Sequence, residues 1–187
     1  MEDLGSALAE LADANYSGAP FLGAYGVTWL VCALLWHTRT PRVAAFATLF
    51  QGTVALPVAL GISAALGMFD ERPGGPLLAQ LGVLVSMSQL LVLPLLIVLV
   101  TQRRYTAVPL VFAITAAIHF VPYAWLYQSV LYLVMPVVVA VGLAIVAGID
   151  RDPERDDVLS ASGAGRVCAL TGVALLATGV AAVVLSG

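Results

Sequence analysis

Lysine is absent from this 187-residue chain; all eight basic residues are Arg. A retinal-type Schiff base is therefore excluded. No Asp, Glu or Arg interrupts the middle of any long apolar stretch, which removes the usual proton relay built on an intramembrane carboxylate. Charged residues make up only 10% of the chain against 61% hydrophobic, where a soluble domain carries roughly 25% charged residues. Too little polar material is present to cover a soluble surface, and mean hydropathy is +1.01. Cysteine is scarce: Cys32 and Cys168 both fall in apolar runs with no metal or redox spacing, so they read as small hydrophobes. No Gly-x-Ser-x-Gly, His-Glu-x-x-His or Walker pattern occurs. No catalytic set, cofactor or metal is assigned. The net charge of −3 gives a nucleic acid no electrostatic footprint. The acidic start, Met1-Glu2-Asp3-Leu4, lacks the basic region of a cleaved signal peptide.

What is abundant is continuous apolar sequence. Crossing about 30 Å of hydrocarbon takes about 20 apolar residues in a helix. Six segments qualify: about 20–37, 43–69, 76–101, 105–125, 128–149 and 167–186. They lack two-residue alternation, so the expected fold is all-α, a polytopic bundle of six transmembrane helices rather than a barrel. Arg39, Arg42, Arg103, Arg104, Arg151, Arg155 and Arg166 fall in alternate gaps, and the other gaps hold only Arg72. The positive-inside rule then places those loops in the cytoplasm and both termini outside a cell membrane. Many aromatics, among them Tyr25, Tyr123, Trp125, Tyr127 and Tyr132, fall toward the outer interface, with Trp36, Phe46 and Tyr105 toward the inner one. Residues 1–19 form a separate interfacial segment, in which Leu4, Leu8 and Leu11 recur at helical spacing. Asn15-Tyr16-Ser17 matches a glycosylation sequon by chance, so close does it lie to the first span. The acidic stretch 150–157 and the small residues Ser160 to Gly165 read as a solvated loop, without the turn glycine of a calcium site.

Lipid does not drive helices together, so small residues mark the closely packed faces. Ala55, Ala59, Ser63 and Gly67 supply one on the second span. Ala140, Ala144 and Gly148 supply one on the fifth, and Ala174, Thr178 and Ala182 one on the sixth. Beyond the lipid bilayer itself, such faces are where a homo-oligomer or a membrane partner would join. The Leu- and Val-rich third span is expected to meet more lipid.

The remaining chemistry is a polar patch. Thr115, His119 and Tyr123 recur every four residues and share one face of the fourth span. Pro122 leaves the Ile118 carbonyl without its helical donor, and Tyr127 follows one turn later. Gln89, preceded by Ser86 and Ser88, lies at nearly the depth of His119, which falls about 6 Å outside the midplane at 1.5 Å per residue. The candidate pocket is Gln89, Thr115, His119, Tyr123, Tyr127 and Tyr132. Its imidazole is expected to be neutral and hydrogen-bonded to Gln89 or Tyr132. Ordinary interhelical hydrogen bonding is the competing account of these residues.

The stretch His119-Phe120-Val121-Pro122-Tyr123-Ala124-Trp125-Leu126-Tyr127, with Tyr132 and Pro136 downstream and Gln89-Leu90-Leu91-Val92-Leu93-Pro94 upstream, resembles an uncharacterised family of small prokaryotic six-span integral membrane proteins. The all-Arg, Asp-rich composition fits a high-GC or salt-adapted prokaryote. The resemblance implies the six-span architecture and no established activity. Binding or passage of a small molecule at the polar patch is the leading expectation. A structural or accessory subunit is the alternative. An intramembrane enzyme on a lipid-like substrate, with His119 as general base, ranks below both because the base has no acidic partner or nucleophile beside it.

Overall fold

A computed structural model describes residues 4–69, 75–150 and 158–186. Arg72, Arg151, Arg155 and the acids of 151–157 lie outside the described residues. Among the described residues all regular secondary structure is helical, with no strand. Its elements are α1 (Leu4–Ala14), α2 (Ala19–Thr38), α3 (Pro41–Phe50), α4 (Gly52–Ala65), α5 (Gly75–Ser88), α6 (Leu93–Thr101), α7 (Ala107–Leu126), α8 (Leu131–Ile149) and α9 (Ala161–Ser186). Short 3₁₀ turns occupy Tyr16–Gly18 and Gln89–Val92. Six apolar stretches are long enough to cross a membrane: Tyr16–Thr38, Pro41–Ala65, Gly75–Thr101, Ala107–Leu126, Leu131–Ile149 and Ala161–Leu185. This is a multi-pass membrane protein.

The sixth span begins earlier than its composition implies. Ser160 caps α9, its hydroxyl accepting the Gly163 N–H at 2.9 Å. The Asp150 carboxylate in turn accepts the Ser160 hydroxyl at 2.6 Å and the Ser160 backbone N–H. The cap satisfies orphan amides of the first turn, so Ala161 to Gly165 is helix and not loop. The glycines of that run let α9 close on α2. A Cβ at Gly165 would lie 3.0 Å from His37 Nε2, one at Gly172 would lie 2.9 Å from the Gly26 carbonyl oxygen, and one at Gly179 would lie 3.2 Å from Leu22 Cβ. Gly165, Gly172 and Gly179 recur every seven residues, about two helical turns apart, and let α9 pack closely along α2.

Small-residue faces hold in two of three places. Ala55, Ala59 and Ser63 are fully buried and Thr178 and Ala182 are buried, with Gly67 and Ala174 half-buried. The α8 stripe is the correction: Ala140, Ala144 and Gly148 are exposed, and the packed face is Tyr132, Met135, Val139 and Leu143. Larger side chains reach farther into the bundle and bury more area, which outweighs the closer approach that alanine permits. One of the expected interfacial aromatics packs within the bundle. Trp36 is buried, and its indole N–H donates to Thr48 Oγ1 at 3.1 Å, tying α2 to α3. Helix α1 packs Ala7 and Leu8 onto Leu78 and Leu126, with Leu11 beside them, while Leu4 stays exposed. It therefore lies over the ends of the third and fourth spans.

The second and third spans are interrupted. In the third, Ser86 and Ser88 turn their hydroxyls back onto the Gly82 and Val85 carbonyls, at 2.8 and 2.6 Å, a habit that bends helices. Pro94 then has no N–H for the Leu90 carbonyl, which accepts from Leu93 instead. The helix tightens into the Gln89–Val92 turn. In the second, the interruption falls at Gln51, before the poor helix former Gly52 and six residues ahead of Pro57.

Candidate functional site

The third-span turn and the middle of α7 together form an open groove of about 410 Å³. It is lined by Ser88, Gln89, Leu91, Val92, Leu95, Thr115, Ile118 and His119. Three of the six expected residues, Gln89, Thr115 and His119, thus meet at one cavity. Its size falls in the range of small-molecule sites.

Its polar groups are unequally satisfied. Thr115 spends its hydroxyl on its own helix, at 3.0 Å from the Val111 and Phe112 carbonyls. His119 Nδ1 lies 3.2 Å from Ser88 Oγ. Because the single Ser88 hydroxyl proton points to the Val85 carbonyl, the imidazole is the donor in this pair. That assigns the Nδ1–H tautomer and leaves Nε2 as a free acceptor. Gln89 departs from the rule that buried polar groups are paired: both its amide oxygen and its amide nitrogen are buried without a hydrogen-bond partner, as are those of Gln51 and the hydroxyls of Ser63 and Thr106 elsewhere in the bundle. The expected His119–Gln89 bond is therefore replaced by His119–Ser88. The 3₁₀ turn starts at Gln89 and advances side chains by a larger angle per residue than an α-helix does, so Ser88 and not Gln89 faces the ring.

The three tyrosines form a second group, directed inward. Tyr123, Tyr127 and Tyr132 have ring centroids 5.5–5.9 Å apart, with Phe120 within 6.2 Å of Tyr132. Tyr132 is buried and its hydroxyl donates to the Ser17 carbonyl, in a turn where Tyr16, Ser17 and Gly18 all have positive φ. It does not reach His119 with its hydroxyl. A Cβ at Gly18 would lie 2.8 Å from that hydroxyl, so glycine is needed there for both space and conformation. Tyr123 joins the two groups. Its ring meets the His119 ring edge-on at 5.4 Å, and its hydroxyl lies 2.9 Å from Ser86 Oγ. Burial, with the Tyr123 phenol adding to it, pushes the Tyr127 phenol above its ordinary value, so Tyr127 acts as a neutral group. Tyr127 also borders a second cavity of about 270 Å³ at the α1 end of the bundle, with Asp13, Ser17 and Gln128.

Ser86 and Ser88 were visible in the sequence only as neighbours of Gln89; their spacing to Tyr123 and His119 was the available signal. The arrangement can bind and orient a molecule by hydrogen bonds. Among the described residues no group of three metal-ligating side chains gathers, and no acid stands beside His119 to make it a strong base.

The chain belongs to a family of unknown function, DUF7010, which it matches over residues 4–178. No curated protein and no solved structure matches it.

Proposed function

We propose that this protein binds a small molecule at the groove between the third and fourth spans, in a prokaryotic cell membrane, with both termini outside. The observation that carries the reading is the Gln89 amide, buried with neither atom paired on the wall of an open cavity. Leaving a buried amide unpaired costs about 1–3 kcal/mol. Gln51 has an unpaired buried amide too but lines neither cavity, so it is the open groove beside Gln89 that points to a ligand. The break in the third span supports the same reading, since irregular backbone at membrane depth is tolerated where it lines a cavity. The neutral imidazole with a bare Nε2 adds an acceptor at the same place.

Mass spectrometry of the full chain, extracted with its native lipid into nanodiscs, tests this. The expected result is a small molecule retained at one per chain and lost from Gln89→Leu. A wild-type protein that retains nothing beyond bulk lipid would sink the proposal. Cysteine labelling in intact cells tests the orientation: Glu10→Cys should react with an impermeant reagent and Thr40→Cys should not.

A further inference from the structure

We infer that the occupant of this groove is a membrane-dissolved lipophilic alcohol, an apolar body with an uncharged hydroxyl head, that enters sideways from the bilayer. The inference rests on the proposed function and specifies its ligand. The route follows from the rim. Leu91, Ile118 and Leu95 are 82%, 66% and 50% exposed, and all three lie within their spans, where the surroundings of an exposed aliphatic side chain are acyl chains. The groove therefore opens to lipid, whereas the second cavity, at Tyr127, lies at the end of the bundle.

The chemistry of the head follows from the polar end. The Gln89 amide requires one donor and one acceptor, and His119 Nε2 requires a donor. A hydroxyl does both with one atom: it accepts from the amide N–H and donates to the amide oxygen or to Nε2. A ketone or ester only accepts and would leave both acceptors without a proton. An ionised head is disfavoured more strongly, because none of the lining residues is charged and an unpaired ion at this depth is costly. The apolar remainder, Leu91, Val92, Leu95 and Ile118, suits a hydrocarbon body.

The test is photolabelling of the full chain in nanodiscs with diazirine-bearing hexadecanol, beside the same probe as hexadecanoic acid and as hexadecane. Adducts are mapped by mass spectrometry. The expected result is alcohol adducts concentrated on 88–95 and 115–119, about tenfold over the alkane, as one net hydrogen-bonding gain of about 1.4 kcal/mol provides. Unlabelled hexadecanol should compete them away. They should vanish in Gln89→Leu, and also in Ile118→Trp, which fills the mouth from its lipid-exposed side without touching the amide or the core. Adducts spread evenly over the lipid-facing helices, a preference for the acid, or labelling that survives both substitutions would overturn the inference. If native nanodiscs retain a bound molecule while hexadecanol gives no localised adducts, the ligand class is wrong and the site stands. If nothing is retained either, both fall.

Discussion

The α2–α9 pair and the third span are built from similarly apolar sequence, yet they solve the membrane problem in opposite ways. Helices α2 and α9 run unbroken, meet backbone to backbone through Gly26 and Gly172, and leave no buried side-chain polar atom unpaired among the described residues. Half of the most apolar window of the sixth span is buried inside the bundle, against 17% for the third. The third span bends at its serines, breaks at Gln89 and keeps an unpaired amide at the break. Packing and hydrogen bonding both hold helices together in lipid: α2 and α9 rely on packing, whereas the third span, short of packing, is tied to α7 by Ser86–Tyr123 and Ser88–His119. The difference teaches that stability is concentrated on one side of the molecule, while the other is left open and polar where a ligand would act. Natural proteins leave such defects at functional sites and offset them elsewhere.

The largest effect is expected at the tight side. Gly172→Leu forces a side chain against the Gly26 carbonyl and Leu30, and should destabilise the fold by about 3 kcal/mol, read as a lowered thermal unfolding midpoint. A tolerated leucine there would break the comparison. Tyr132→Phe comes next. It removes the hydroxyl that donates to the Ser17 carbonyl and should cost about 1–3 kcal/mol while leaving ligand retention in place. Loss of the ligand without loss of stability would move Tyr132 into the site. The His119 tautomer is a smaller, spectroscopic matter: nitrogen NMR should find the proton on Nδ1, and in Ser88→Ala that preference should weaken. A proton on Nε2 would mean that the ring faces the groove as a donor and would remove one argument for a hydroxyl head. Ala140→Leu should change stability by no more than about 0.5 kcal/mol, since that face of α8 is exposed; a large effect would show that the stripe is covered in the native membrane.

The number and length of the spans were legible because twenty apolar residues in a row admit little else. Which face of a span packs was not, because a helix that is apolar all round carries no stripe to read. Ala140, Ala144 and Gly148 had the right spacing and the wrong side. The start of α9 was hidden because its Ser and Gly residues favour loops, and only the Asp150–Ser160 cap, ten residues apart in sequence, reveals the helix. The polar patch was legible in its residue types and in its depth. Its pairing was not. A 3₁₀ turn changes which of two adjacent residues faces α7, and Tyr132 found a backbone carbonyl, which no side-chain pattern announces. The glycine heptad of α9, Gly165, Gly172 and Gly179, is masked in the sequence by the alanines interleaved with it.

The central claim is that Gln89 is kept for a ligand and not for the fold. The thermal unfolding midpoint of Gln89→Leu, measured in detergent after delipidation, tests it most directly. With no bound molecule, removing an unpaired buried amide should stabilise the protein, by about 1–3 kcal/mol, and the midpoint should rise above that of the wild type. A midpoint clearly below the wild type would show that the amide holds helices together and would contradict the account.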